Sequence, residues 1–140
     1  MKIVYYSLSG NTNKMAELIA EGIKLEGKDV ELVDFASTSV EDVISEDIII
    51  LGCPAQGVES LEEETVEPFV EDLNGKINGK KVALFGSYGW GDGEWMRSWE
   101  ERMESYGGSL ISEGLIINEL PEGEDAGLCI EFGRKIAVSL

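Results

Sequence analysis

Five short apolar runs, rich in β-branched and aromatic residues, alternate along the chain with helix-forming segments. They are Ile3 to Tyr6, Val30 to Phe35, Ile48 to Leu51, Val82 to Phe85 and Leu110 to Asn118. Several are apolar throughout, as strands are when both faces of their sheet are covered. Between them, Met15, Leu18, Ile19, Gly22 and Ile23 stand at helical spacing, with Gly27 as the stop. Val66, Phe69, Val70 and Leu73 make a second stripe, where Pro68 is tolerated in a first turn. A third, Trp95, Trp99, Met103 and Tyr106, ends at Gly107, and the last runs through Cys129, Phe132, Gly133, Ile136, Ala137 and Leu140. A shorter helix is expected near Ser39 to Ile44. Strict β-α alternation predicts an α/β protein: a three-layer α/β/α sandwich around a five-stranded parallel sheet with right-handed crossovers. The 140 residues make one domain, 1–140. A chain of this length buries about 68–70% of its unfolded surface, so its core needs neither metal nor disulfide.

Charge narrows the chemistry. Lys plus Arg number 11 and Asp plus Glu 28, a net −17, with a pI near 4.2. Nucleic acid and anionic membrane are poor partners for such a chain. It has 0 His, which excludes Ser-His-Asp and Cys-His catalysis and His-ligated metal. Any chemistry must be carried mostly by a borrowed group. From Asp29 to Gly75 there are fourteen carboxylates and no Lys or Arg. This block includes Glu59, Glu62, Glu63, Glu64, Glu67, Glu71 and Asp72, and reads either as a solvated face or as a docking surface for a basic protein. Cys53 and Cys129 form no CxxC pair and read as buried free thiols. Neither a signal segment nor an apolar stretch of membrane-spanning length is present, so the expected compartment is the cytoplasm.

In a parallel sheet of this kind ligands bind beyond the carboxyl ends of the strands. After the first strand, Ser7-Leu8-Ser9-Gly10-Asn11-Thr12 offers hydroxyl and amide donors, a glycine and a helix N-terminus, the makings of an anion site. It matches neither GxxxxGK[ST] nor GxGxxG, and no Lys or Arg lies between Lys2 and Lys14, so a phosphate here would be held by neutral donors. Alone, the six residues read equally well as a helix N-cap. After the third strand comes Gly52-Cys53-Pro54-Ala55-Gln56-Gly57-Val58-Glu59, whose last four residues read as a tight turn with a carboxylate able to accept from a ligand N–H. After the fourth comes Gly86-Ser87-Tyr88-Gly89-Trp90-Gly91-Asp92-Gly93. Trp95 and Trp99 belong to the core. Trp90, between glycines, is placed either to stack on a flat ligand or to cover the sheet edge.

Ser7 to Thr12 resembles the phosphate loop of flavodoxins, [ST]-x-[ST]-G-N-T, and Gly86 to Gly93 with Trp90 resembles their third flavin loop. The resemblance covers the whole chain, and the uninterrupted run from Leu110 to Asn118 is similar to the short-chain members, which lack an insertion in the fifth strand. It implies the strand order 2-1-3-4-5, bound FMN, low-potential one-electron shuttling between partner proteins, and a monomer. It also implies that Ser7, Ser9, Gly10, Asn11 and Thr12 hold the phosphate, with Leu8 in the same loop. Trp90 would cover one ring face, Gln56 the other, and Glu59 would accept from the ring N3–H. The Gly57 carbonyl would turn toward N5 when that atom gains a proton. Pro54, Ala55, Val58, Ser87, Tyr88, Gly89 and Gly91 complete the implied site. Basic or positively patched redox proteins would dock near the flavin edge and the acidic segment 59–72.

Three residues depart from the family pattern. Pro54 replaces a Ser or Thr that donates to phosphate and has no donor itself. Gln56 stands where close relatives often have Met. Val58 stands where Asp, Asn or a Ser-like residue is usual, and a β-branched side chain resists the positive φ of a type II turn. Rival readings are an FMN-dependent NAD(P)H or quinone reductase and a flavin-binding module that shuttles nothing. A phosphorelay receiver lacks its Asp cluster here, since Ser7 and Gly52-Cys53 occupy those strand ends. A low-molecular-weight phosphatase lacks its Cys-x5-Arg.

Overall fold

The computed structural model describes residues 1–56 and 60–140. Its elements alternate as the apolar periodicity predicts: β1 (Lys2–Tyr5), α1 (Asn11–Leu25), β2 (Glu31–Asp34), α2 (Val40–Ile44), β3 (Ile48–Gly52), α3 (Val66–Asp72), β4 (Lys81–Tyr88), α4 (Glu94–Ser105), β5 (Ser109–Leu110), β6 (Leu115–Asn118) and α5 (Glu124–Val138). A 3₁₀ turn, Phe35–Ser37, follows β2. The sheet is parallel throughout, ordered β2-β1-β3-β4-β5, and β6 also pairs with β4.

The fifth position is occupied by two short strands where the sequence shows one apolar run. β5 pairs with Lys81 and Val82 and β6 with Phe85 to Tyr88 on the same side of β4, leaving residues 111–114 between them. A Cβ on Gly114 would stand 2.4 Å from Met96 Sδ, and the Gly114 amide donates to Glu100 Oε2 at 2.6 Å. Backbone that close to α4 bows around Met96 instead of staying in the ladder.

Two apolar clusters lie on opposite faces of the sheet. One joins Val4, Ile49, Leu51 and Leu84 to Val43, Val66, Val70, Trp95 and Trp99 of α2, α3 and α4. The other joins Ile3, Ile48, Ile50 and Phe85 to Met15, Ile19 and Ile23 of α1 and to Cys129, Phe132 and Ile136 of α5. β3 is buried on both faces along its whole length, which explains its unbroken apolar run. Where α1 crosses α5 the backbones nearly touch. A Cβ on Gly22 would fall 2.0 Å from the Ile130 carbonyl oxygen, and one on Gly133 2.0 Å from that of Ile19. Glycine in these two stripes is therefore required by packing. Both cysteines are free and buried.

Candidate functional site

The carboxyl ends of β1, β3, β4 and β6 open at one edge of the sheet, and the loops leaving them enclose a cleft of about 400 Å³. The first loop enters α1 through Gly10, whose φ of +93° is glycine territory. Ser7 Oγ accepts from the Gly10 and Asn13 amides at 3.1 and 3.2 Å, and Ser9 Oγ from the Asn11 amide at 3.4 Å. The loop is thus organised around its own hydroxyls at the positive end of a 15-residue helix. Leu8, Ser9 and Asn11 line the cleft, and Leu8 is 70% exposed. Thr12 is buried behind them, its Oγ1 2.7 Å from Ser87 Oγ.

Past β3 the chain stays beside β4. The Cys53 amide donates to the Phe85 carbonyl at 3.1 Å and the Ala55 amide to the Ser87 carbonyl at 3.0 Å. Trp95 Nε1 donates to the Cys53 carbonyl at 3.3 Å. This approach requires Gly86, where a Cβ would stand 2.1 Å from the Cys53 oxygen. Pro54, Ala55 and Gln56 line the cleft in consequence. Gln56 and Ser60 exchange backbone bonds of 2.8 and 2.9 Å in an antiparallel bridge. Gly57, Val58 and Glu59, with the turn and the carboxylate role expected of them, lie outside the described residues.

Gly86, Ser87 and Tyr88, read from sequence as loop, are the last three residues of β4. They stay in the ladder because β6 pairs with them in register, Gly86 with Ile116, Ser87 with Ile117 and Tyr88 with Asn118. Ser87, Tyr88 and Gly89 line the cleft, and Trp90 stands beyond them, 70% exposed. Gly91, with φ +95°, turns the chain toward α4. Trp95 and Trp99 are in the core, as their helical spacing predicts.

The cleft has a fourth wall that reading three loops missed. Glu119 and Leu120, just past β6, line it opposite Ser9 and Gln56. The Glu119 amide donates to the Tyr88 carbonyl at 2.8 Å, and Asn118 Nδ2 is 3.3 and 3.4 Å from the Tyr88 and Gly89 carbonyls. Glu119 has φ +60°, the one non-glycine residue with positive φ among those described. The available signal was topological. The rule that selects the ends of strands one, three and four also selects strand five, and Asn118 and Pro121 mark a turn there.

Electrostatically the cleft is neutral to negative. None of its described lining residues is Lys or Arg, and Glu119 contributes a carboxylate. Burial pushes the Cys53 thiol up to about 12, against a smaller lowering from a hydrogen bond involving Glu62, so it cannot serve as a thiolate nucleophile near neutral pH. Among the described residues no cluster of carboxylates and thiols is arranged to hold a metal. A larger hollow of about 900 Å³, between α5 and residues 112–115, contains none of the expected site residues. A hydroxyl-rich glycine loop at a helix N-terminus that lines the cleft, with an exposed tryptophan next in the chain to the lining residue Gly89, suits a flat ligand with an anionic tail. FMN has that shape and charge, and the residues present fit it.

The flavodoxin family model matches residues 3–133. The chain is 56% identical over 137 residues to the flavodoxin of Clostridium beijerinckii, covering 98% of this chain and 99% of that one. It is 51% identical to the flavodoxin of Megasphaera elsdenii, covering 98% of each. A solution structure of two-electron reduced Megasphaera elsdenii flavodoxin superposes with a TM-score of 0.89 at 50% identity over 98% of both chains. With the sheet order, the position of the cleft and near end-to-end likeness in agreement, the chain belongs to the flavodoxin family, in its short-chain form.

Proposed function

We propose that the protein is a low-potential one-electron carrier that holds FMN noncovalently in the cleft at the carboxyl edge of the sheet and passes electrons between redox proteins. The observation that carries this reading is one cleft lined by Leu8, Ser9 and Asn11 of the first loop, by Gln56 and by Ser87 to Gly89, with the exposed Trp90 next in the chain. Bound FMN supplies the redox chemistry, taking up and releasing electrons one at a time. The protein's residues bind and orient it. Ser7, Ser9, Gly10, Asn11 and Thr12 hold the phosphate with hydroxyls and amides, Trp90 and Gln56 cover the ring, and Glu59 accepts from its edge. With no His in the chain and the two thiols buried, proton transfer and nucleophilic catalysis by side chains have no support. The reading is therefore of a carrier whose substrates are other proteins.

The acidic segment 59–72 follows the cleft residue Gln56 closely in sequence, and its charge supports docking of basic redox partners there. Free thiols support a reducing compartment, the cytoplasm, and we read the carrier as a monomer of one domain. No helix among the described residues is long and apolar enough to cross a membrane.

Purification supplies the test. The protein is expected to be yellow and to release FMN, identified chromatographically, and to relay electrons from a flavoprotein reductase to an acceptor without oxidising NAD(P)H alone. A colourless protein that does not take up FMN, or one that releases FAD, overturns the cofactor assignment. Steady NAD(P)H oxidation by the pure protein overturns the carrier assignment in favour of a reductase.

A further inference from the structure

Thr12 and Ser87 are the two buried residues with hydroxyl or charged side chains among those described, 1% and 3% exposed, and they face each other. Their oxygens are 2.7 Å apart, linking the first turn of α1 to the end of β4 across 75 residues of sequence. Two hydroxyls carry two protons, and the bond between them uses one. The second has no acceptor among the described residues, and burial denies it bulk water. An apolar surrounding makes such a surplus donor costly unless a ligand takes it. Ser87 lines the cleft, Thr12 follows the lining residue Asn11 in the loop that Ser7 and Ser9 organise, and Pro54, another lining residue, has no donor to offer.

We propose that Thr12 and Ser87 act as one unit toward the ligand's phosphate, Ser87 donating to Thr12 and Thr12 donating to a phosphate oxygen. Without an anion either hydroxyl can be the donor. A bound dianion fixes the direction, because a hydrogen bond to a charged acceptor is roughly twice as strong as a neutral one and chained hydroxyls polarise toward it. Ser87 is thereby a positioning residue for phosphate, although it also lines the cleft. Its backbone carbonyl, held by the Ala55 amide, keeps it in place. The inference rests on FMN being the ligand.

The test compares the affinity of the apoprotein for FMN and for riboflavin, which has the same ring and sugar chain without the phosphate. Ser87→Ala should weaken FMN binding by about 5- to 10-fold and Thr12→Val by about 10- to 100-fold, the range expected for losing a charge-assisted bond. Riboflavin affinity should change less than about twofold, which also certifies that each variant folds. The double variant should bind FMN no more weakly than Thr12→Val, because the first loss already breaks the chain, and Ser87→Thr should restore binding. If Thr12→Val does not fold, Ser87→Ala and Ser87→Thr decide the matter. Equal losses for FMN and riboflavin in Ser87→Ala mean that Ser87 donates elsewhere on the ligand, and overturn the proposal. So do additive losses in the double variant, or FMN affinity unchanged by Ser87→Ala. Should the unaltered protein bind neither flavin, the functional reading itself fails, a result distinct from any of these.

Discussion

The segment leading from the cleft into α3 depends on one carboxylate. Glu62 Oε1 accepts from the Thr65 and Val66 amides at 2.7 and 3.0 Å, and Oε2 from the Glu64 amide at 2.9 Å. Helix starts leave such amides unpartnered, and the N-cap residue of α3, Thr65, makes no side-chain bond of its own. Glu62 serves in its place, two residues after Ser60 bridges to Gln56. Partial burial pushes the Glu62 carboxyl up, but the three amides outweigh it and hold the group below the ordinary carboxylate range. Removing the side chain by Glu62→Ala should cost about 1–2 kcal/mol at pH 7, the upper half of the range for a lost cap, because three amides lose their acceptor at once and two of them are part-buried. For 140 residues that is a fall in Tm of roughly 3–7 °C. A folded pKa depressed below its unfolded value gives stability that is fully present above the unfolded pKa and lost as pH falls through the folded one. The gap between native protein and Glu62→Ala should therefore hold from pH 7 down to about pH 5, then close below the usual Glu value of about 4.3. Glu62→Gln can still accept from Thr65 and Val66 but offers a donor to the Glu64 amide, so it should fall between the two. Urea unfolding of the apoprotein, followed by the fluorescence of Trp95 and Trp99 at stepped pH, measures each gap. A Glu62→Ala cost below about 0.3 kcal/mol at pH 7, or one that persists unchanged below pH 4, refutes the capping account.

Gly133→Ala places its Cβ 2.0 Å from a backbone oxygen, and should destabilise by about 2–3 kcal/mol net or prevent folding, despite about 1 kcal/mol gained from helix propensity. Urea unfolding reads the sign directly. Trp90→Ala should leave urea stability within about 0.5 kcal/mol because the ring is 70% exposed, while FMN affinity, measured by fluorescence quenching, falls roughly 3- to 10-fold. Adding the second electron puts negative charge into a chain of −17, and each ~1.4 kcal/mol of opposition lowers a one-electron potential by about 60 mV. Raising salt from 0.1 to 1 M shortens screening from about 10 to about 3 Å, so that potential should rise with salt in a spectroelectrochemical titration, and a salt-independent value counts against the surface-charge account.

Most of the fold was legible because burial on both faces of a parallel sheet leaves its mark on consecutive residues, and helix stripes leave theirs at three- and four-residue spacing. β3 and α1 show both signals undiluted. The strand limits at the site were not legible. Gly86-Ser87-Tyr88 reads as loop because glycine and serine are poor strand formers, yet β6 and the segment 53–55 pair with it from both sides. Tertiary pairing overrode local preference. The break at 111–114 has a signal in the sequence, since Ser112, Glu113 and Gly114 interrupt the apolar run with poor strand formers, but the Met96 side chain the backbone must pass shows only in the packing. The anion loop was legible as chemistry but not as geometry. Six residues gave the candidate donors; Ser7 and Ser9 are taken up by local bonds within the loop, whereas the pairing of Thr12 depends on a contact 75 residues away.

The absence of cations from the cleft has a functional side. A Lys or Arg on the phosphate would bind it more tightly, but it would also place a positive charge in the same low-dielectric cleft as the ring and ease each electron's entry. Hydroxyls, amides and a helix terminus hold an anion with dipoles that fall off more steeply with distance, so they stabilise the tail with less effect on the ring. Pro54 removes one such donor, and the surplus proton of the Thr12–Ser87 pair supplies another without adding charge. The nearest cation in sequence to the loop, Lys14, is exposed on the first turns of α1 and is not among the cleft's described lining residues. On the proposed reading, a net −17 and a neutral anion site are thus parts of one arrangement: geometry would hold the phosphate, and the acidic field opposing reduction would be left uncancelled.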